Sequence, residues 1–234
     1  NTVLGGLALD AQVTGDNNTA IGYEALSTNA TADGAGGNTA VGYRAGVALL
    51  AGTENTILGR SAMVASADAD RCVVIGSIAC QADMTSAADG TSAIGYSSLS
   101  ALTSGAGNLA IGYQALLGHT TGSRNIAIGY GAMNGTAEDA APTSTDNIFI
   151  GFDAGGAATT GGSNTFIGRG AAGGAAVTGS NNVAIGRDAA RPITSAAENV
   201  VIGHNSGAGM TSASDNVIIG KNAGNACTTG DKNI

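Results

Sequence analysis

The side chains able to act as acids, bases or nucleophiles are few, and their spacing decides what they can form. There are 2 histidines, His119 and His204. A serine nucleophile needs such a base within hydrogen-bond reach and an acid behind it. His119 falls in a turn and His204 directly follows a glycine, so neither sits in a motif of that kind and no catalytic residue is assigned. Glu138, Asp139, Asp146 and Asp153 carry the carboxylates that calcium prefers. They lack a ligand-loop pattern, so they read as solvated surface, and no metal or cofactor is assigned. The 3 cysteines, Cys72, Cys80 and Cys227, are odd in number and show neither disulfide nor zinc-ligand spacing. They read as small buried hydrophobes. Gly168-Arg169-Gly170-Ala171-Ala172-Gly173 matches a dinucleotide fingerprint by letter, but no helical pattern follows it.

One series remains. Tyr23, Tyr43, Arg60, Ser77, Tyr96, Tyr113, Tyr130, Phe152, Arg169, Arg187, His204 and Lys221 each follow a glycine, and they include every tyrosine in the chain before passing into a basic run. Side chains with an apolar body and a polar tip suit a surface or a subunit seam, and exposed tyrosines offer a sugar or a protein something to lie against. Tyr96, Tyr113, Tyr130 and Phe152 are therefore the candidate ligand-binding residues, with the loop at 134–146 beside them.

What must position this series is a repeat. The glycines before it are Gly5, Gly22, Gly42, Gly59, Gly76, Gly95, Gly112, Gly129, Gly151, Gly168, Gly186, Gly203 and Gly220, and the shortest and commonest gap between them is 17 residues. Ile, Leu or Val stands before each; Ala, or Ser at Ser98 and Ser206, stands three after; Asn stands four before, except at Cys72 and Thr91. The anchors are typified by Asn18-Ile21-Gly22-Ala25, Asn108-Ile111-Gly112-Ala115 and Asn182-Ile185-Gly186-Ala189. So short a period denotes a solenoid whose units bury their apolar edges by stacking. The expected fold is all-β, a parallel β-solenoid of about 13 coils of about 17 residues, in one repeat domain over 1–234. At roughly 4.8 Å per coil this makes a rod on the order of 60 Å long.

Within a unit, triplets such as Thr19-Ala20-Ile21, Ile126-Ala127-Ile128 and Val200-Val201-Ile202 read as short strands. Alternation places the residue before the glycine on one face and the middle residue on the other, yet both are apolar, so both faces require burial. The expectation is that the large aliphatic before the glycine packs inside the coil against the small Ala beyond the corner. The other face would then be covered by lateral association. The asparagines are expected to form an amide ladder up the stack. Longer gaps are read as insertions at about 27–37, 80–90, 134–146 and 172–181, all between the return and the next strand.

Composition fits a thin coil: 39 Gly, 43% hydrophobic, 3% aromatic and no Trp. A net charge of −8 argues against a nucleic-acid partner, which requires a basic patch. No apolar run reaches the roughly 20 residues of a membrane helix. Asn1-Thr2-Val3-Leu4-Gly5 is already an anchor and Asn233-Ile234 opens another, so the chain reads as a fragment of a longer fibre that starts and ends in mid-repeat.

Asn-Thr-Ala-Ile-Gly-Tyr-x-Ala followed by a Thr-Gly-x-Asn turn resembles the head repeats of trimeric autotransporter adhesins of the YadA type. It also resembles repeats of bacteriophage tail fibres and of tail-fibre-like proteins with a self-cleaving chaperone. The resemblance covers nearly the whole chain. It implies a left-handed β-roll, a side-by-side homotrimer, an extracellular place on a cell surface or virion, and attachment to a host or cell-surface receptor. Two other readings stand beside it. Unfinished ends suit a self-assembling filament that stacks end to end without a receptor. Ile21-Gly22-Tyr23-Glu24-Ala25-Leu26 is similar to a unit of hexapeptide-repeat acyltransferases, but the rest of each period is rich in Gly, Thr, Ser and Asn, which would leave their triangular core empty.

Overall fold

The computed structural model describes residues 1–11, 15–28, 36–135, 142–157, 159–225 and 228–233. Cys227, Glu138 and Asp139 lie outside these, as do parts of the insertions at 27–37 and 134–146. The chain divides into two compact units, Asn1–Gln114 and Ala115–Ile234.

In the first unit the strands are β1 (Thr2–Leu4), β2 (Thr19–Ile21), β3 (Thr39–Val41), β4 (Thr56–Leu58), β5 (Val73–Ile75), β6 (Ser92–Ile94) and β7 (Leu109–Ile111), with one 3-10 turn at Ser86–Ala88. They pair in parallel and in chain order, one strand per coil, with equivalent residues in register: Thr2 beside Thr19, Ala20 beside Ala40, Ile94 beside Ile111. The second unit repeats the arrangement with β8 (Ile126–Ile128), β9 (Ile148–Ile150), β10 (Thr165–Ile167), β11 (Val183–Ile185), β12 (Val200–Ile202) and β13 (Val217–Ile219). There Phe149 lies beside Phe166 and Ile185 beside Ile202. The fold is thus an all-β parallel solenoid. Insertions do not disturb the register: Thr19 still pairs with Thr39 and Ile126 with Ile148.

The middle residue of each triplet faces inward, which reverses the expectation that the aliphatic before the glycine does so. Ala20, Ala93, Ala127, Phe149, Phe166 and Val201 are buried, while Ile21, Ile94, Ile128, Ile150, Ile167 and Ile202 remain partly exposed. The reason is volume. The residue four after the glycine also points inward, and its size compensates that of the middle residue. Ala20, Ala93 and Ala127 share coils with Leu26, Leu99 and Met133, all buried. Phe149, Val201 and Ile218 instead share coils with Gly155, Gly207 and Gly224, where an added Cβ would lie 2.5 Å from the Phe149 ring, 3.0 Å from Val201 and 2.8 Å from Ile218. In these coils one large and one small residue share the narrow interior; elsewhere the balance runs between neighbouring coils, as where Ala40 and Gly46 lie next to the coil that buries both Ile57 and Met63. Phe149 and Phe166 stack within the interior at 4.7 Å.

The corner that makes this possible is left-handed at two points. The amide of Ala25 donates to the Gly22 carbonyl, closing a turn whose third residue, Glu24, has φ of 55°. Two residues on, Leu26 has φ of 50°. The same positions are left-handed throughout, even where Ile78 (52°) or Met133 (50°) stands there. Such a conformation costs an L-residue about 1–2 kcal/mol. Here it is offset because the turned amides bond to adjacent coils: Glu24 to the Gly6 carbonyl and Leu26 to that of Ala45.

The amide ladder is present. The backbone N–H of Asn38 donates to Asn18 Oδ1 at 2.9 Å, that of Asn55 to Asn38 Oδ1 at 3.0 Å, and that of Asn182 to Asn164 Oδ1 at 3.0 Å. Several Nδ2 groups reach the carbonyl three residues ahead of the next ladder position, as Asn55 does to Ala69 at 2.8 Å and Asn182 to Ala196 at 2.8 Å, while Asn108 donates to Gly105 at 2.7 Å. At Cys72 and Thr91 the column carries a thiol and a hydroxyl instead, bonded to the Asp70 and Gly105 carbonyls at 3.3 and 3.4 Å. Cys72 and Cys80 are both buried, and loss of hydration pushes both thiols above their ordinary pKa.

Candidate functional site

The column after the anchor glycines is placed by the turn just described, which brings its side chains outward at every coil. In the first unit Tyr23 and Tyr43 stack at 5.8 Å with their planes 10° apart, and Tyr96 and Tyr113 stack at 5.3 Å and 10°. In the second unit Tyr130 stacks on Phe152 at 5.3 Å and 12°. All six rings are about half exposed. Of the candidate residues, Tyr96 stacks on Tyr113 in the first unit and Tyr130 on Phe152 in the second. Stacking at this spacing uses the facing sides of the rings. What a ligand meets is the rim of each pair and, for the tyrosines, the hydroxyls. The Tyr23 phenol is held above its ordinary pKa, chiefly by the neighbouring Glu24 carboxylate.

Beyond Phe152 the column turns basic. The Arg169 guanidinium lies 5.8 Å from the Phe152 ring centre, and Arg187 Nη2 lies 2.6 Å from His204 Nε2. In the second unit the next residue along each corner is acidic or amide-bearing, Asp153, Asp188, Asn205 and Asn222, save at Gly131 and Gly170. Where Gly170 leaves the row empty, a shallow cavity of about 160 Å³ opens, lined by Phe152, Asp153, Arg169, Gly170, Asp188 and Arg191. Arg191 Nη1 donates to Asp188 Oδ1 at 3.1 Å. Among the described residues the Asp153 carboxylate has no hydrogen bond or ion pair. Of these six residues the sequence reading singled out Phe152 for ligand binding and Asp153 among the carboxylates. The signal for the rest was available: aligning the repeats shows a missing side chain at Gly170 between two aspartates.

The other chemically capable residues are elsewhere. Asp146 is held by Arg124 through bonds of 2.6 and 2.9 Å, and this partner keeps its carboxyl below the ordinary pKa. The two histidines are far apart in role. His204 is on the surface column, whereas His119 is buried with Nε2 3.0 Å from Ser144 Oγ. That spacing is the one an activated serine needs, but Ser144 is buried too, and His119 Nδ1 has no partner among the described residues. Burial pushes the His119 pKa from 6.5 down to about 4. Because the folded value is the lower one, the unfolded chain takes up this proton first. The neutral ring's contribution is complete above pH 6.5, falls as the pH drops toward 4, and is constant below that. Between pH 7 and pH 5 the second unit is expected to lose about 2 kcal/mol through this group. Urea unfolding at the two pH values checks it: His119→Gln should lose that share of the pH dependence, and an unchanged pH profile would exclude it.

Gly168-Arg169-Gly170 follows β10 with Gly168 at φ of 132°, and a turn rather than a helix comes next. No helix among the described residues is long and apolar enough to cross a membrane. No family model, curated protein or solved structure matches the chain.

Proposed function

We propose that the chain is a shaft or head segment of an extracellular trimeric fibre, on a virion tail or a bacterial surface, that mediates attachment and carries out no catalysis. The observation that supports this is the outward face of the sheets. In the second unit Ile128, Ile150, Ile167, Ile185, Ile202 and Ile219 form one column, and Ile126, Ile148, Val183, Val200 and Val217, interrupted by Thr165, form another beside it, none of them buried. In the first unit a column from Leu4 to Ile111 runs beside a mostly polar one of Thr2, Thr19, Thr39 and Thr56 followed by Val73, Ser92 and Leu109. Apolar columns of this length are costly in water and are covered in stable proteins. A second and third copy of the same chain supply matching columns at the same coil spacing, which an unrelated globular partner does not. The number three, and the biological setting, come from the resemblance to adhesin-head and tail-fibre repeats. Three copies also present each weak surface site three times, and avidity is what a fibre needs to hold a surface.

A double variant, Val200→Glu with Ile202→Glu, tests this. Both side chains point away from the coil interior, so the monomer is expected to keep its β spectrum. Charges facing one another across the assembly are expected to lower the mass to that of one chain, and to abolish retention of the fluorescently labelled protein on bacterial cells that bind the parent. A variant with the parent's mass would contradict the proposed interface. A monomeric variant that is still retained would contradict the link between assembly and attachment.

A further inference from the structure

We propose that the cleft at Gly170 in the second unit is a binding site for a single neutral hexopyranose residue of a surface glycan. This names the ligand class for the attachment reading above and rests on that reading for its biological sense, although the cleft belongs wholly to one chain.

The cleft follows from the repeat. Its row is occupied in neighbouring coils by Asp153, Asp188, Asn205 and Asn222, and Gly170 leaves a gap one coil high between the two aspartates. With coils about 4.8 Å apart the two carboxylates stand roughly 10 Å from each other across it. The floor is backbone, since Gly170 is buried, and the volume of about 160 Å³ has room for one pyranose ring rather than a peptide or a larger cofactor. Gly174 keeps the way open for Arg191: a Cβ there would lie 3.1 Å from its Nε.

The lining then selects the ligand. Two carboxylates and two guanidiniums carry no net charge between them, so a charged ligand would leave one member of the set opposed by its own sign. A sugar hydroxyl both donates and accepts, so neighbouring hydroxyls can donate to Asp153 while accepting from Arg169, whose planar fork suits two adjacent oxygens. Among the described residues neither group is engaged in an ion pair; Arg169 is held only over the Phe152 ring. Both faces of that ring are taken, by Tyr130 at 5.3 Å and by Arg169, so it offers its rim to the C–H face of the sugar. Asp188 and Arg191, bonded to each other at 3.1 Å, form the opposite wall. The acceptor, donor and apolar edge are fixed on a β-scaffold before the ligand arrives, which lowers the ordering cost of binding.

Saturation-transfer NMR with methyl glycosides of glucose, galactose and mannose tests the site on the intact protein. At least one is expected to bind with a millimolar dissociation constant, as befits one ring making few contacts. Gly170→Asn fills the gap with a residue that the next coils already hold in the same left-handed conformation, at Asn205 (54°) and Asn222 (57°), so it should fold and lose the signal. Asp153→Asn, again a residue of that row, should weaken binding at least tenfold. Circular dichroism and solution mass are recorded on all three proteins. The proposal is overturned if no hexoside binds, if Gly170→Asn binds as well as the parent, or if only anionic sugars or peptides bind. Should the parent be an assembled fibre segment that holds cells and yet binds no hexoside, the cleft inference fails while the proposed function stands; a monomer that binds hexosides gives the reverse.

Discussion

Replacing Gly168 by Ala is expected to destabilise the second unit by about 4 kcal/mol or more, one of the largest effects available to a single methyl group in this fold. Gly168 has φ of 132°, a conformation essentially restricted to glycine, which by itself costs an L-residue about 1–3 kcal/mol. The added Cβ would also lie 2.5 Å from the Gly186 carbonyl oxygen and 2.6 Å from its carbon. Both are backbone atoms of the next coil, so relief requires the coils to separate. That lengthens the parallel bonds on either side, including that from the Gly186 amide to Ile167 at 2.8 Å. Gly170→Ala, two residues away, is the control. Its φ of 63° is accessible to other residues, and its nearest neighbour is the movable Asp188 Oδ1 at 2.7 Å, so about 1 kcal/mol is expected. Thermal unfolding separates the two. Because a solenoid's stability is a sum over neighbouring coils, hydrogen exchange in the Gly168 variant should rise first between β10 and β11. If Gly168→Ala melted with Gly170→Ala, the axial contact between anchor glycines would not be what spaces the coils.

Asn164→Ala is the second, with an expected loss of about 2–5 kcal/mol. Asn164 Oδ1 accepts from the Asn182 backbone N–H at 3.0 Å and from Asn182 Nδ2 at 3.1 Å, while Asn164 Nδ2 donates to the Gly179 carbonyl at 3.0 Å. All of these are buried, so alanine leaves an amide and a carbonyl without partners and without water. Asn164→Asp discriminates further. It keeps the acceptor oxygens but puts a carboxylate where Gly179 needs a donor, so at neutral pH it should be at least as damaging. Once protonated it can again donate to Gly179. Its deficit relative to the parent should therefore shrink as the pH falls, the opposite of the His119 effect. Urea unfolding of the three proteins at pH 7 and pH 5 gives the comparison. An alanine variant within about 0.5 kcal/mol of the parent would mean the ladder contributes little, as for an ordinary surface substitution.

These two positions were legible because asparagine and glycine recur with fixed offsets, and only a stacked parallel fold gives such offsets a meaning. The strands, their order and the amide ladder follow from the same spacing. The inward face was misjudged because the aliphatic before the glycine looks like the larger hydrophobe in Ala-containing coils. The interior volume is completed instead by Leu26, Leu99, Leu116 and Met133 four residues past it. Those residues escaped notice for a physical reason: left-handed backbone ordinarily betrays itself as Gly or Asn, and here it is held by Leu, Met and Ile through bonds to adjacent coils. The aromatic column was visible as a series, and its rings stack from coil to coil within each unit. The Gly170 cleft needed the coils laid one on another, since Asp153 and Asp188 are 35 positions apart in the chain. The contact of His119 with Ser144 spans 25 residues across the longest insertion, where the period gives no guide.

The central claim is that the outward columns of Ile and Val are closed by two further copies of the chain. Light scattering coupled to size exclusion, with far-ultraviolet circular dichroism on the same sample, measures it most directly. The account predicts a β spectrum and a mass three times the 22.4 kDa of one chain. A well-folded monomer at the same concentration would contradict it, because the columns would then be stable in water without a partner.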